Sequence, residues 1–296
     1  MYYIESSHPI KQKIYPQKSF YITKFCFVTT SYNQSQFIIQ NLDSIRIQNY
    51  KNYYVNYVDD GSTDDTSSIL LKYKNDYPNF PMKIITNSKR YGPCYSRKLS
   101  YMNTENEDVC IFLDGDDFLV GNNVLEILAE AYETYKVYAT FGSMKGNYWQ
   151  YKSFNSYDRK QHNYYPHLRT VKSKILKMVP DKYLKDSNDN WFMFTTDVAL
   201  FTAVIELCGK KKYMFLENEI VIYNQYNNIN NQNDGYNNQN ANGQKIRNYY
   251  HEVIKNMLPL EIYEGFTQKL NNTSCVCYVF ILIILFCICI CIYNTK

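Results

Sequence analysis

The chain has 296 residues, a formal net charge of +4 and 20% charged residues, which suits one sizeable α/β domain with appendages. Its basic residues are scattered, so composition excludes an extended nucleic-acid footprint. Heavy use of Asn, Lys, Ile and Tyr, the last at 32 residues, is the mark of an AT-rich genome and implies no aromatic function in itself.

Met1 to about Ile22 is polar and Tyr-rich and lacks the apolar core of a signal peptide. It reads as an N-terminal extension, residues 1–22. From Lys24 strands and helices alternate. Cys26-Phe27-Val28-Thr29 is a buried strand, and Ser35 to Ile47 is an amphipathic helix. A second strand runs from Tyr53 to Val58, and Ser62-Thr63-Asp64-Asp65 has the form of a capping box opening a helix through Tyr73. Met82 to Ile85 is the third strand, Cys94 to Met102 a helix, and Val109 to Leu113 the fourth strand. Val124 to Tyr135 is helical and Val137 to Phe141 extended. A basic helical piece is expected near Thr170 to Met178, a helix over Thr195 to Leu207 and a short strand over Glu217 to Tyr223. This alternation predicts an α/β fold with a mostly parallel sheet covered on both faces, over residues 23–223.

Between Asn224 and Gln244, 14 of 21 residues are Asn or Gln, a linker (224–250) that cannot bury a core. A juxtamembrane segment, 251–273, holds a helix-like stretch from His251 to Leu258. Cys275 to Tyr293 then gives 19 uncharged, mostly apolar residues; at 1.5 Å per residue they span roughly 28 Å, a bilayer core. A transmembrane anchor over 274–293 is therefore expected, with the bulk of the chain facing the cytosol. A glycan on the sequon Asn33-Gln34-Ser35 would block the end of the first strand, which agrees with that orientation. Five of the nine cysteines lie in this run; Cys26, Cys94, Cys110 and Cys208 are far apart, without zinc spacing, and read as reduced core thiols.

Two stretches carry the chemistry: Val58-Asp59-Asp60-Gly61-Ser62-Thr63-Asp64-Asp65-Thr66 and Phe112-Leu113-Asp114-Gly115-Asp116-Asp117. Each is an apolar strand ending in clustered carboxylates, which are costly unless cations or donors meet them. The ends of neighbouring strands are where α/β sheets bind ligands. A nucleotide at one cluster and a divalent metal at the other would account for both.

Together with Phe27-Val28-Thr29-Thr30-Ser31-Tyr32-Asn33, and with Asn87 and the Gly92…Arg97 pair between them, these stretches resemble the successive motifs of glycosyltransferase family 2. The resemblance covers about Lys24 to Asn227; Lys98 stands where the family usually has Asn. It implies the GT-A fold (Rossmann-like), a nucleotide-sugar donor, most simply a UDP-sugar, Mn²⁺ or Mg²⁺, and inverting transfer to a hydroxyl of a glycan, protein or lipid. Asp60 would accept from the base, with Asp59 beside it. Thr30 and Tyr32 would hold the base by backbone and ring, and Arg97 would meet the diphosphate. Loop capping is the alternative for Asp59 and Asp60, and a place on the helix surface for Arg97. Asp114, Asp116 and Asp117 form the DxD element, Asp116 and Asp117 holding the metal and Asp114 facing the donor. Asp197, at the start of the last helix, matches the general base; a carboxylate favourable at a helix N-terminus is the alternative. Trp191 is a candidate acceptor platform or a core residue, and His167 and Arg169 are further candidates for diphosphate or acceptor. Two rivals stand: a haloacid-dehalogenase-type phosphatase with Asp114 as nucleophile, and a membrane-tethered nucleotide-sugar-binding pseudoenzyme.

Overall fold

A computed structural model describes residues 10–145, 165–193, 196–209 and 212–224. The expected linker, juxtamembrane segment and anchor lie outside them. Among the described residues no helix is long and apolar enough to cross a membrane.

The elements are β1 (Ile10–Gln12), β2 (Phe25–Ser31), α1 (Ile38–Arg46), β3 (Tyr53–Asp59), α2 (Thr66–Asp76), β4 (Met82–Thr86), α3 (Pro93–Tyr101), β5 (Val109–Phe112), β6 (Phe118–Leu119), α4 (Val124–Tyr135), β7 (Ala139–Met144), β8 (Arg169–Lys172), α5 (Ser173–Lys177), α6 (Thr196–Cys208) and β9 (Tyr213–Ile222). They form a sheet of order β1-β9-β7-β8-β5-β2-β3-β4, with β6 paired to β9. The pairs among β2, β3, β4 and β5 are all parallel. Side chains alternate faces along a strand. Phe25, Phe27, Val55 and Tyr57 thus share one core with Leu42 of α1, Leu70 of α2 and Leu128 of α4. The opposite face takes α3 and α6: Phe112 meets Tyr101 and Phe201 edge-on, and Asn56 Nδ2 donates to Ser100 O at 3.1 Å.

Two local expectations are corrected. The basic stretch from Thr170 to Met178 is not one helix: β8 lies antiparallel between β5 and β7, and only Ser173–Lys177 turns helical. Thr170, expected to open that helix, is instead buried, in hydroxyl contact with Thr140 at 2.6 Å and Tyr132 at 2.8 Å. The expected capping box does not form either, for α2 begins at Thr66 and its N-cap, Asp65, makes no side-chain cap. Ser62 Oγ instead accepts from Asn33 N at 3.0 Å, and Asp64 accepts from Thr66 N at 3.0 Å and Ser35 N at 3.1 Å. The strand expected from Glu217 starts earlier, at Tyr213, where β7 and β1 supply partners on both sides.

Candidate active site

Parallel pairing brings the carboxyl ends of β2, β3 and β5 together, with Ser31 opposite Asp59. Asp60 N donates to Ser31 O, and Gly115 N to Thr30 O, so both carboxylate loops hang from β2.

Asp59 is fully buried; its oxygens accept from Ser62 N at 3.0 Å and from the Ser67 hydroxyl. Asp60 is 3% exposed and accepts from four donors: Asn87 Nδ2 at 2.7 Å, Ser96 Oγ at 2.9 Å, Tyr91 N at 3.0 Å and Gly92 N at 2.7 Å. Asp60 therefore gathers the segment from Asn87 to Ser96. That geometry needs glycine at Gly92, where φ is +93° and a Cβ would lie 2.4 Å from Met193 Sδ. Beside this loop the Arg90 guanidinium stacks on the Tyr32 ring at 4.2 Å.

The second cluster is denser. Arg97 Nη2 donates to Asp114 Oδ1 at 2.5 Å, and Nη1 to Thr196 Oγ1 at 2.5 Å. Arg97 thus ties the end of β5 to the first turn of α6, next to Asp197. Asp117 Oδ1 accepts from Asn224 N at 3.0 Å. Its Oδ2 lies 3.3 Å from His167 Nδ1, yet the two are misaligned for a hydrogen bond and both are buried without one. Ligand atoms of Asp114, Asp117 and His167 all fall within 4.8 Å of one another, the one such group of His, Cys, Asp or Glu among the described residues. Arg169 Nη2 reaches Asp197 Oδ2 at 3.5 Å, and its Nε donates to Tyr165 O at 2.6 Å.

The charges are set by burial working against neighbours. Burial acts to raise the Asp114 carboxyl, but the Arg97 guanidinium, by charge and hydrogen bond, outweighs it and holds it at about 2. Asp117, with burial and the Asp114 charge both against ionisation, is pushed well above the carboxylate range. Burial and then Arg169 push the His167 imidazole down to about 3, so it is neutral at physiological pH.

The structure thus joins Arg97, Asp114, Asp117, His167, Arg169 and Asp197. Asp116 is also buried but stands outside the three-residue group, on the side of Tyr57. Of the expected metal pair, Asp117 falls in the group with Asp114 and His167, where β8 brings the imidazole beside the end of β5, while Asp116 lies outside it. Trp191 is half-buried in a surface cluster, edge-on to Tyr95 at 5.7 Å and under Lys185 Nζ at 4.8 Å. Asn41 was not anticipated. Its Nδ2 holds both Asp114 O at 2.9 Å and Asp117 O at 2.7 Å. The signal was a lone amide on the apolar stripe of Ile38, Leu42 and Ile45.

The model of Glycosyl transferase family 2 matches residues 26–190. An uncharacterized glycosyltransferase of Rickettsia felis is 32% identical over 104 residues, 34% of this chain and 16% of that protein. The poly(ribitol-phosphate) beta-N-acetylglucosaminyltransferase TarS of Staphylococcus aureus is 34% identical over 98 residues, 32% of this chain and 17% of that one. The chain thus matches about a sixth of the length of these curated relatives. In structure it resembles TarS 1–349 in complex with UDP, with TM-score 0.53 at 20% identity over 68% of this chain and 60% of the other. It also resembles the mannosyltransferase PcManGT of Pyrobaculum calidifontis in complex with GDP-Man and Mn²⁺, with TM-score 0.55 at 16% identity over 71% and 59%. These likenesses establish the GT-A fold, and the match at 26–190 of 296 residues runs through both carboxylate loops and β8. More than half of its length conforms to one family pattern, and the chain belongs to glycosyl transferase family 2.

Proposed function

We propose that the chain transfers a sugar from a nucleotide-sugar donor, a UDP-sugar in the simplest case, to a hydroxyl acceptor with inversion at the anomeric carbon. The observation that carries this reading is the gathering of Asp114, Asp117 and His167, with Arg97 tying Asp114 to Thr196 beside Asp197 and Arg169 reaching Asp197 itself. The complexes of TarS with UDP-GlcNAc and of PcManGT with GDP-Man support the donor class.

The residues present fit a divalent cation. Asp117 Oδ2 and His167 Nδ1 are buried polar atoms with no hydrogen-bond partner, and such orphans are costly unless something meets them. Asp114, Asp117 and His167 would hold it, and the imidazole favours Mn²⁺ over oxygen-seeking Mg²⁺. When bound, the metal supplies positive charge against that growing on the leaving diphosphate. Asp197 accepts the proton of the acceptor hydroxyl at the first turn of α6, and Arg169 orients its carboxylate. Arg97 keeps Asp114 ionised and fixes the base-bearing turn relative to the donor end. Asp60 holds the loop on which the base of the nucleotide would rest, and Tyr32 under Arg90 offers it a ring face.

Incubating the full chain with a panel of nucleotide sugars, with Mn²⁺ and with EDTA, tests the reading, and NMR of the product gives its anomeric configuration. Metal-dependent release of the nucleotide with an inverted product is expected. Nucleotide binding without turnover of any donor would favour the pseudoenzyme instead. The apolar run Cys275 to Tyr293 is proposed to tether the enzyme to a membrane. Deleting residues after Leu270 should give a soluble, folded, nucleotide-binding protein, and an insoluble product beside a soluble full chain would overturn the tether.

A further inference from the structure

We propose that the strap joining β1 to β2, from Tyr15 to Lys24, is a bilayer-contacting surface that takes anionic phospholipid. The strap lies on α4. Gln17 N donates to Glu130 at 3.2 Å, and Ile22 N and Thr23 N to Glu133 at 2.8 and 3.0 Å. Tyr21 is turned inward, its hydroxyl 2.9 Å from Glu130. Extended backbone then turns its neighbours out. Phe20 is 74% exposed, Ile22 72% and Tyr15 63%, the three most exposed large apolar side chains among the described residues. Single exposed apolar residues mean little, but three within eight positions make a patch.

The unpaired charge beside the patch is basic. Glu130 and Glu133 lie beneath the strap and are engaged by it. Lys13, Lys24 and Lys51 are exposed and have no ion-pair partner among the described residues. Asn52 Nδ2 donates to Ile22 O at 3.1 Å and brings the turn bearing Lys51 alongside. Aromatic and aliphatic side chains among lysines suit the headgroup region of an anionic leaflet, whereas a second copy would oppose its own lysines. The inference goes beyond the catalytic reading and does not depend on it. It also places the membrane at the amino end of β2, with the carboxylate site at the other end of its seven residues, about 20 Å away at 3.3 Å per residue. The acceptor then reaches the site from water.

The test uses the full chain carrying Phe20→Trp, with Leu71→Trp, 57% exposed on α2, as the control, and the parent with its two native tryptophans as baseline. Each is reconstituted in vesicles of brominated phosphatidylcholine with about 30% phosphatidylserine. The added emission of Phe20→Trp is expected to lose on the order of half its intensity relative to unbrominated vesicles, while that of Leu71→Trp is unchanged. Adding Lys13→Gln, Lys24→Gln and Lys51→Gln should cut that quenching at least about twofold. Equal quenching of Phe20→Trp and Leu71→Trp overturns the proposal. So does a blue-shifted Phe20→Trp emission that bromine does not quench, for then protein covers the patch. Nucleotide-sugar turnover, measured on the same samples, reports separately on the catalytic reading.

Discussion

Asp60→Asn separates two roles for the first carboxylate cluster. Three of the four donors to Asp60 meet Oδ1, while Oδ2 receives only Gly92 N at 2.7 Å. An Asn is therefore least costly with its oxygen at the Oδ1 position and its amide nitrogen facing the Gly92 N–H. One charge-assisted bond is lost, worth about 1.5–3 kcal/mol, and a buried donor is left facing another for about 1–3 kcal/mol more. The remaining three bonds also lose their charge assistance. A total of about 3–5 kcal/mol, at roughly 2–4 °C per kcal/mol for a domain of this size, lowers Tm by roughly 6–20 °C. Differential scanning calorimetry gives Tm and isothermal titration gives UDP affinity; both should fall, because the loop from Asn87 to Ser96 loosens. A Tm within about 2 °C of the parent with UDP affinity lost tenfold would refute this reasoning. Asp60 would then act by direct contact with the ligand and not by holding the loop.

Asp197→Asn should keep nucleotide affinity and lower transfer by about 10²- to 10⁴-fold, the usual worth of a general base; near-parent transfer in a discontinuous sugar-transfer assay would remove Asp197 from that role. Mn²⁺ binding should release a proton from Asp117, whose carboxyl is held well above its usual range by burial and by Asp114. Metal affinity should then rise with pH, and the heat of Mn²⁺ binding should vary with the ionisation enthalpy of the buffer; buffer-independent heat would contradict it. Gly115→Ala places a Cβ 2.6 Å from Gln34 Oε1 and 2.8 Å from both Ser31 Cβ and Tyr57 Oη. Overpacking of this kind costs about 1–3 kcal/mol, so Tm should fall by roughly 2–12 °C, and an unchanged Tm would mean that the loop absorbs the methyl.

The order of strands and helices was legible in the sequence because each element reports its own burial through local periodicity. Phe25 to Ser31, Tyr53 to Asp59 and Val109 to Phe112 are short apolar runs, while Val124 to Tyr135 carries a helical stripe. The sequence also placed Asp59, Asp60, Asp114 and Asp117 at strand ends, where parallel neighbours bring them to one edge of the sheet. Which groups those carboxylates meet is not a local property. The four donors to Asp60 come from positions 27 to 36 residues away, and nothing in Val58 to Thr66 shows that its lone pairs are already taken. Thr170-Val171-Lys172 reads as the start of a basic helix until β5 and β7 flank it; their free edges then make the extended form the better-bonded one. Only that insertion carries His167 to Asp117, fifty residues along the chain, and gathers side chains that could ligate a metal but that the sequence held apart. The tertiary structure decided which side chains share the candidate site because their meeting depends on where strands pair, and hydrophobic periodicity shows which face a residue takes but not which strand lies beside it.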